Sequence, residues 1–198
     1  MSKMPTPTAI RIIREEHQAL SAMLSSLPLL LRQHRQDGTP VRFDVLRAML
    51  FYVDEFPEKL HHRKESDLLF PMLRSRSDTA AEVLDKLDRD HAVGKRAIRD
   101  LEHTLLAWEM LGETRREDFA QAVERYLSFY LKHMQLEEEI VLPMAQQVLQ
   151  AEDWAVLDDA FAENRDPLTG HTPSAEYEQL FSRIVRTAPA PIGLGAAT

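Results

Sequence analysis

The sequence predicts an all-α protein whose main body is an up-down-up-down four-helix bundle with a short helical C-terminal extension. Apolar residues recur at spacings of three and four along four long stretches, and short polar breaks separate these stretches. In addition, residues 132–145 repeat the pattern of residues 60–73. Long helices joined by short connections pack as antiparallel neighbours. We therefore assign residues 1–150 to the bundle and residues 151–198 to the extension and a flexible tail.

The first helix is predicted to begin at Thr6-Pro7, with threonine as the cap and proline as the first helical residue. It ends before the polar turn at residues 37–40. One face carries a single seam, which predicts that this face is buried. The seam consists of Ile13, His17, Leu20, Leu24, Leu27 and Leu31.

The second helix is predicted over residues 41–75. Pro57 and Pro71 lie inside it and are expected to bend it or to end its last turn, because proline lacks the amide hydrogen of an α-helix. Its buried stripe is predicted to include Leu46, Leu50, Val53, Phe56, Leu60, His61, Glu65, Leu68 and Met72.

The third helix is predicted to end at residues 111–114, and the fourth to cover residues 115–150. The third helix has the most regular stripe, with Leu84, Leu87, His91, Gly94, Ile98, Leu101, Leu105 and Trp108. The stripe of the fourth consists of Phe119, Val123, Tyr126, Tyr130, His133, Glu137, Ile140 and Met144.

The extension is predicted to contain two short helices, one over residues 153–164 and one beginning at Thr172-Pro173. The second is expected either to pack on the bundle or to make a homodimer contact. Residues 188–198 are rich in proline, glycine and alanine and are expected to be extended or disordered. The apolar face of the second helix consists of Tyr177, Leu180, Phe181, Ile184 and Val185.

Four histidines are predicted to fall in one layer of the bundle, one on the seam of each helix. At about 1.5 Å per residue, all four lie roughly 15–22 Å from the same end of the bundle. A glutamate follows two of them by one helical turn. Burying so many polar groups is costly unless they pair or bind an ion. The layer consists of His17, His61, Glu65, His91, His133 and Glu137.

Such a layer favours metal binding over a purely structural role, although a single histidine on an apolar seam is more often a core residue. Imidazole and carboxylate ligands without thiolate suit iron, manganese or zinc. Two ions fit the set better than one, because two histidines then serve each ion and the two glutamates bridge them.

The other polar residues near the seams are weighed in the same way. His62 is expected to point outward, since only His61 matches His133 in the repeat. Glu138 is expected on a solvated face or in contact with a ligand residue. The histidines expected to lie away from the layer are His34, His103 and His171.

For Tyr126 and Tyr130, core packing is favoured over hydrogen bonding to ligands or gating of the site. Gly94 lies one turn after His91. Glycine costs helix stability relative to alanine, so it is expected either to leave room for a ligand or to permit a close helix contact.

Composition narrows the function classes. A net charge of −8 and the lack of a long basic cluster argue against nucleic-acid binding. The chain has no cysteine, which excludes disulfides and thiolate metal sites. Because it shows neither an apolar run long enough for a membrane span nor a signal core, we expect no membrane association and a cytoplasmic location.

The residues of this layer and their neighbours resemble the hemerythrin-like HHE cation-binding domain family over about residues 8–150. The resemblance implies a four-helix bundle with a non-haem centre of two iron ions, joined by two carboxylates and an oxo or hydroxo bridge. It implies His17, His61, His91 and His133 as terminal ligands and Glu65 and Glu137 as bridges. The matching motifs are Glu16-His17-Gln18-Ala19-Leu20, His61-His62-Arg63-Lys64-Glu65, Leu69-Phe70-Pro71, Asp90-His91, His133-Met134-Gln135-Leu136-Glu137-Glu138 and Leu142-Pro143.

Two departures from the family's oxygen carriers bear on function. Those proteins have a fifth histidine where this chain has Lys95, and an aspartate five residues after the last histidine instead of Glu137 at four. The departures favour a reactive or sensing centre, whose ligand is a diatomic molecule such as O₂ or NO, or a peroxide. The relatives linked to nitrosative stress and iron–sulfur repair carry a cysteine-bearing N-terminal region, which is lacking here.

Two other readings stay open at this point. One is a redox enzyme or iron-centre repair factor that uses the same di-iron site for peroxide or NO reduction or for iron donation. The other is a ferritin-like oxidation centre, which needs Glu-x-x-His on two helices. Glu58 and His61 match that motif once, but Tyr130 occupies the corresponding position before His133, so the ferritin-like centre is ranked lower.

Overall fold

The computed structural model describes residues 6–189 and 192–193, and four long helices form its main body. Helix α1 covers Thr8–Asp37 and α3 covers Ala81–Leu111. Helix α2 is continuous over residues 43–76, and α4 over residues 116–148. Short 3₁₀ turns at Asp78–Ala80 and Glu113–Arg115 lead into α3 and α4. The predicted all-α bundle is therefore confirmed.

Helices α2 and α4 change from α to π geometry in the halves that carry the predicted ligands. The two prolines do not end α2, which continues through wider turns. The segments of α2 are Phe43–Val53 (α), Asp54–His61 (π), His62–Lys64 (α), Glu65–Leu69 (π) and Phe70–Arg76 (α). Those of α4 are Arg116–Leu136 (α), Glu137–Val141 (π) and Leu142–Val148 (α).

The two related π segments begin at Glu65 and Glu137. The amide of Phe70 donates to the carbonyl of Glu65, and the amide of Leu142 to that of Glu137, five residues back in each case. A proline follows each of these amides, and it has no amide hydrogen with which to continue the α pattern. Single π turns of this kind are frequent at functional sites.

The wider π turns shift the buried face of α2 and α4 by one residue. The residues predicted to be buried are therefore wrong where the helix has π geometry and after it. Ile140 is 44% exposed and Leu60 is 38% exposed, although both were expected in the core. Leu68, Met72 and Met144 are only half-buried. Their neighbours are fully buried instead, in the same pattern in both helices: Leu69, Phe70 and Leu73 in α2, and Val141, Leu142 and Ala145 in α4.

Two apolar clusters fill the bundle, and a polar layer separates them. One cluster includes Ile13 on α1 and Leu87 on α3, and the other includes Leu20 and Ile98 on the same two helices. His17 and His91 lie between these positions along the chain. The layer predicted from helix heights is thus flanked by apolar packing on both sides.

The extension packs on the bundle. Helix α5 (Ala151–Ala162) contacts α1, and α6 (Glu178–Thr187) contacts α2. A 3₁₀ turn, Pro167–Thr169, lies between them. Helix α6 begins later than Thr172-Pro173 because the chain first forms a turn, in which the Tyr177 amide donates to the Ser174 carbonyl at 2.9 Å.

The remaining predictions concern the start of α1, the C-terminal tail and possible membrane spans. The N-cap of α1 is Pro7, one residue later than predicted, which is within the usual spread of helix boundaries. Most of the predicted tail, residues 190–191 and 194–198, lies outside the described residues. The homodimer contact stays a prediction. Within the part of the chain that is described, no helix is long and apolar enough to cross a membrane.

Candidate metal centre

The predicted ligand residues from all four bundle helices meet in the buried layer. His17 on α1 and His61 on α2 face each other with ring centroids 5.1 Å apart, and we call this pair the first half. His91 on α3 and His133 on α4 form the second half, with their Nε2 atoms 3.1 Å apart. Each of the four residues is at most 4% exposed. The repeat in the sequence is therefore a repeat in space.

Glu65 contacts both halves. Its Oε1 lies 3.2 Å from His61 Nε2, and its Oε2 lies 3.5 Å from His91 Nε2. The residue is fully buried. One carboxylate therefore presents one oxygen to each half.

Glu137 on α4 also contacts both halves. Its Oε2 lies 3.3 Å from His17 Nε2, and its Oε1 lies 3.3 Å from His133 Nε2. Two carboxylates that each span both histidine pairs have the arrangement required of bridging ligands.

Two groups of side chains have ligand atoms that all lie within 4.8 Å of one another, and Glu65 belongs to both. Several of these atoms are buried yet make no hydrogen bond to any described residue, which is costly in a protein interior. A cation would satisfy them, and the two groups are consistent with a dinuclear metal site. The groups are His17, His61 and Glu65, and His62, Glu65, His91 and His133. The unpaired atoms include His17 Nε2, His61 Nε2 and both carboxylate oxygens of Glu65 and Glu137.

The charges in the layer keep the carboxylates ionised. Burial and the nearby Glu137 would raise the pKa of Glu65, but the neighbouring histidines lower it to about 2. Burial would lower the pKa of His133, but Glu137 and Asp90 raise it to about 10. Protons on His61 and His133 therefore compensate the carboxylates, and a bound metal ion would replace these protons.

Acidic side chains face the far nitrogens of two rings. His61 Nδ1 donates to Glu16 Oε2 at 2.6 Å, whereas Asp90 lies at the related position without a hydrogen bond, with Oδ2 3.6 Å from His133 Nδ1. Each of these acids directly precedes a predicted ligand histidine in the sequence. Carboxylates in this position fix the ring orientation and make imidazole a stronger metal ligand.

The residues that follow the two glutamates hold the other two rings. Glu138 Oε1 lies 3.0 Å from His17 Nδ1, and Ser66 Oγ lies 2.8 Å from His91 Nδ1. The side chain of Glu138 is 39% exposed, so it is both partly solvated and in contact with a predicted ligand. The sequence analysis did not identify Ser66 as a contact of His91, although Ser66 aligns with Glu138 in the repeat.

The prediction that His62 points outward is wrong. Its side chain is 2% exposed, and it joins the second half of the layer. The position that matches it in the repeat is Met134, an apolar residue that is also buried. That match was the signal for an inward position, because an outward site in α4 would carry a polar residue.

His62 has the protonation state of a metal ligand. Burial, followed by the charges of His91 and His61, holds its pKa well below the ordinary value, so the ring is neutral. Its Nδ1 lies 3.3 Å from Glu58 Oε2. A bond from Nδ1–H to this carboxylate leaves the lone pair of Nε2 free for an ion.

Glu58 is fully buried behind His62 and accepts two further hydrogen bonds. Tyr126 Oη donates to Glu58 Oε1 at 2.8 Å, and Tyr130 Oη donates to the same oxygen. Burial raises the pKa of Glu58, and the two hydroxyl groups partly offset this. The tyrosines are thus hydrogen-bond donors as well as the core residues they were expected to be.

Gly94 provides the space for this cluster. A Cβ atom at this position would overlap the Tyr130 hydroxyl group and lie 2.8 Å from Glu58 Oε1. Of the two expectations for Gly94, close approach by a neighbouring helix is the one that the structure shows. The three histidines expected to lie away from the layer do so: His34 packs near Trp108, which belongs to the same apolar cluster as Leu20, and His103 and His171 are exposed.

A small cavity adjoins the first half. His17 and His61 form part of its wall, and Leu20, Phe56 and Pro57 line it with apolar groups. Its volume of about 10 Å³ is close to the minimum for one water molecule. The layer therefore has space on one side for a very small molecule.

Comparison with known proteins bears on the same residues. The family model of the hemerythrin HHE cation binding domain matches residues 8–145. No curated protein and no solved structure matches the chain significantly. The matched range contains both groups of buried histidines and glutamates, and α5 and α6 lie beyond it.

Proposed function

Because the chain belongs to the hemerythrin HHE cation-binding domain family, we propose that it holds two iron ions and uses them to bind or sense a small oxidant such as O₂ or NO. The observation that carries this proposal is the pair of buried carboxylates, each with one oxygen near each histidine pair. A single ion at either half would leave the far oxygens of both glutamates unpaired in the interior.

In this proposal His17 and His61 bind one ion, and His91 and His133 bind the other. Glu65 and Glu137 bridge the two ions, and His62 joins the second. Nitrogen and oxygen ligands without thiolate suit iron, and manganese or zinc would be accepted by the same donors. Bound iron supplies redox chemistry, whereas the protein supplies oriented ligands and a dry surrounding.

The cavity beside His17 and His61 supports a diatomic ligand. Leu20, Phe56 and Pro57 line it with apolar groups, and it has room for about one water-sized molecule. Glu16, Asn164 and Asp166 form the polar part of its wall. A larger organic substrate has no space there. O₂ and NO are small and weakly polar, so they lose little solvation energy on entering such a cavity.

Metal analysis of protein purified without a histidine tag tests the proposal. We expect two iron ions per chain and, after exposure to air, the absorption band of an oxo-bridged di-iron centre. His133→Ala and Glu137→Ala should lose metal, whereas the matched control His34→Ala should retain it because His34 lies beside Trp108, away from the buried layer. Equal metal content in the three variants would contradict the proposed site, and a metal-free wild type would contradict the proposal as a whole.

A redox enzyme that reduces peroxide or NO, or that donates iron for the repair of iron centres, is the second candidate. The buried chain Tyr130–Glu58–His62 favours it, because it links a phenol to a proposed ligand through a carboxylate. Such a chain provides a path for a proton from the phenol side of the core. Steady consumption of peroxide or NO in the presence of a reductant would identify an enzyme, whereas a stable adduct without turnover would identify a binding protein.

A further inference from the structure

The segment after α5 reaches the first half of the metal centre, although it lies outside the range that the family model matches. Asn164 is 5% exposed, and its Nδ2 donates to Glu16 Oε2 at 3.0 Å. The same oxygen accepts from His61 Nδ1 at 2.6 Å. A continuous chain of hydrogen bonds therefore runs from the extension to a proposed ligand.

The orientation of the Asn164 amide follows from charge. A carboxylate accepts hydrogen bonds and repels another oxygen, so the amide nitrogen must face Glu16. The amide holds the carboxylate without neutralising it. Glu16 is therefore held against Nδ1 of His61, and a carboxylate in that position strengthens the imidazole as a ligand.

Among the described residues, no amide side chain contacts Asp90 in the way that Asn164 contacts Glu16. Asp90 takes the place of Glu16, and its other partner is Lys86, whose side chain is 53% exposed. Asp90 also lies farther from its ring, at 3.6 Å from His133 Nδ1. The two halves are thus held differently, by a buried amide on one side and by a solvated lysine on the other.

The extension is anchored firmly enough to position Asn164. Asp158 Oδ1 accepts from the Ala9 amide at 2.6 Å. Leu157 and Phe161 are buried in the same apolar cluster as Ile13 of α1. The Phe161 ring packs edge-on against His61, with centroids 6.0 Å apart. Asn164 follows directly from this helix, so its position depends on that packing.

We infer that Asn164 is a positioning residue of the metal centre, which holds Glu16 on His61 and so retains the ion of the first half. This inference rests on the proposed function. Loss of an outer hydrogen-bond partner typically lowers metal affinity by about 10–100-fold. Asn164 variants should therefore release one of the two ions faster, while the other ion stays at its wild-type rate.

The test uses the full chain loaded with Fe(II) without oxygen, and Co(II) as a spectroscopic probe. Asn164→Asp keeps the shape but places a second carboxylate against Glu16, and Asn164→Leu removes the donor. Release to an excess of chelator should become biphasic in both variants, with one phase about 10–100-fold faster. Asp159→Ala is the matched control, because Asp159 is an exposed residue of the same helix, and this variant should release both ions as the wild type does. Wild-type release in both Asn164 variants would overturn the inference.

A second measurement separates this inference from the proposed function. In metal-free protein, the Nδ1 proton of His61 should give a slowly exchanging NMR signal in the wild type and in Asp159→Ala. It should broaden or shift in Asn164→Leu. If the wild type binds no metal, the proposed function fails. If the His61 signal is unchanged in folded Asn164→Leu, the positioning role of Asn164 fails, whether or not metal binds.

Discussion

His62 stacks on His91, with ring centroids 4.5 Å apart and 18° between the ring planes. Both rings belong to the second half of the layer, where the chain has Lys95 at the position of the fifth histidine of oxygen carriers. The structure thus adds His62 of α2 to this half, in which α3 contributes His91 but has Lys95 where the oxygen carriers have a further histidine.

The first prediction follows from this contact. Loss of a residue that only hydrogen-bonds to a metal ligand lowers metal affinity by about 10–100-fold. His62→Ala should lower the affinity for one metal ion by more than this, because it removes a ligand. Titration with Co(II) would measure it. Glu58→Gln is the milder control, because it removes only the carboxylate behind the ring. If His62→Ala still binds two ions with unchanged affinity, His62 is a core residue and not a ligand.

The second prediction concerns the contact between Gly94 and Tyr130. Alanine would improve helix propensity by up to about 1 kcal/mol, but overlap with the Tyr130 hydroxyl group should cost about 1–3 kcal/mol. We expect Gly94→Ala to be destabilised in urea unfolding. Addition of Tyr130→Phe removes the overlapping oxygen, so the double variant should lose less stability than the two single losses combined. Simple additivity would show that the two residues do not interact.

The helix pattern and the repeat were sufficient to predict the bundle and to bring together His17, His61, His91 and His133. A period of 3.6 residues fixes which residues share a face, and helix length fixes their height. Both are local properties of the chain. The resemblance to the family rests on the same residues.

The period fails where the backbone leaves α geometry. The π turns at Glu65 and Glu137 each shift the buried face by one residue, so Ile140 was assigned to the core and is exposed. The prolines signalled an interruption but not its form. Asn164 could not be predicted because its contact with Glu16 joins residues that are distant in the sequence, and no periodic pattern records such a contact.

The third prediction is a pH dependence that arises from Asp166. Burial raises the pKa of this carboxyl group to about 6, and the hydrogen bond from Tyr52 only partly offsets it. The folded protein therefore binds this proton more tightly than the unfolded chain, so the contribution to stability is full at low pH. It is lost as the pH rises from about 4 to 6, with a total of roughly 3 kcal/mol.

Asp166→Asn removes the titrating group and tests this directly. The free energy of unfolding of the variant minus that of the wild type should increase between pH 4 and pH 7, measured in chelator. Tyr52→Phe removes the partner that favours the ionised form and should enlarge the wild-type slope. A difference that does not change with pH would contradict the raised pKa.

The last prediction is that metal removal destabilises the fold. The carboxylate oxygens of Glu65 and Glu137 are buried without hydrogen bonds, and only the folded chain brings them together with the histidines. An ion that binds the folded state alone adds about 2.7 kcal/mol of stability at a concentration 100 times its dissociation constant.

The melting temperature should therefore fall in chelator and rise with added Fe(II) in the absence of oxygen. His34→Ala should show the same difference between the two conditions, whereas Glu137→Ala should show a much smaller one. A melting temperature that is equal with and without metal in the wild type would mean that the buried layer is held by its own ion pairs and does not bind the ions.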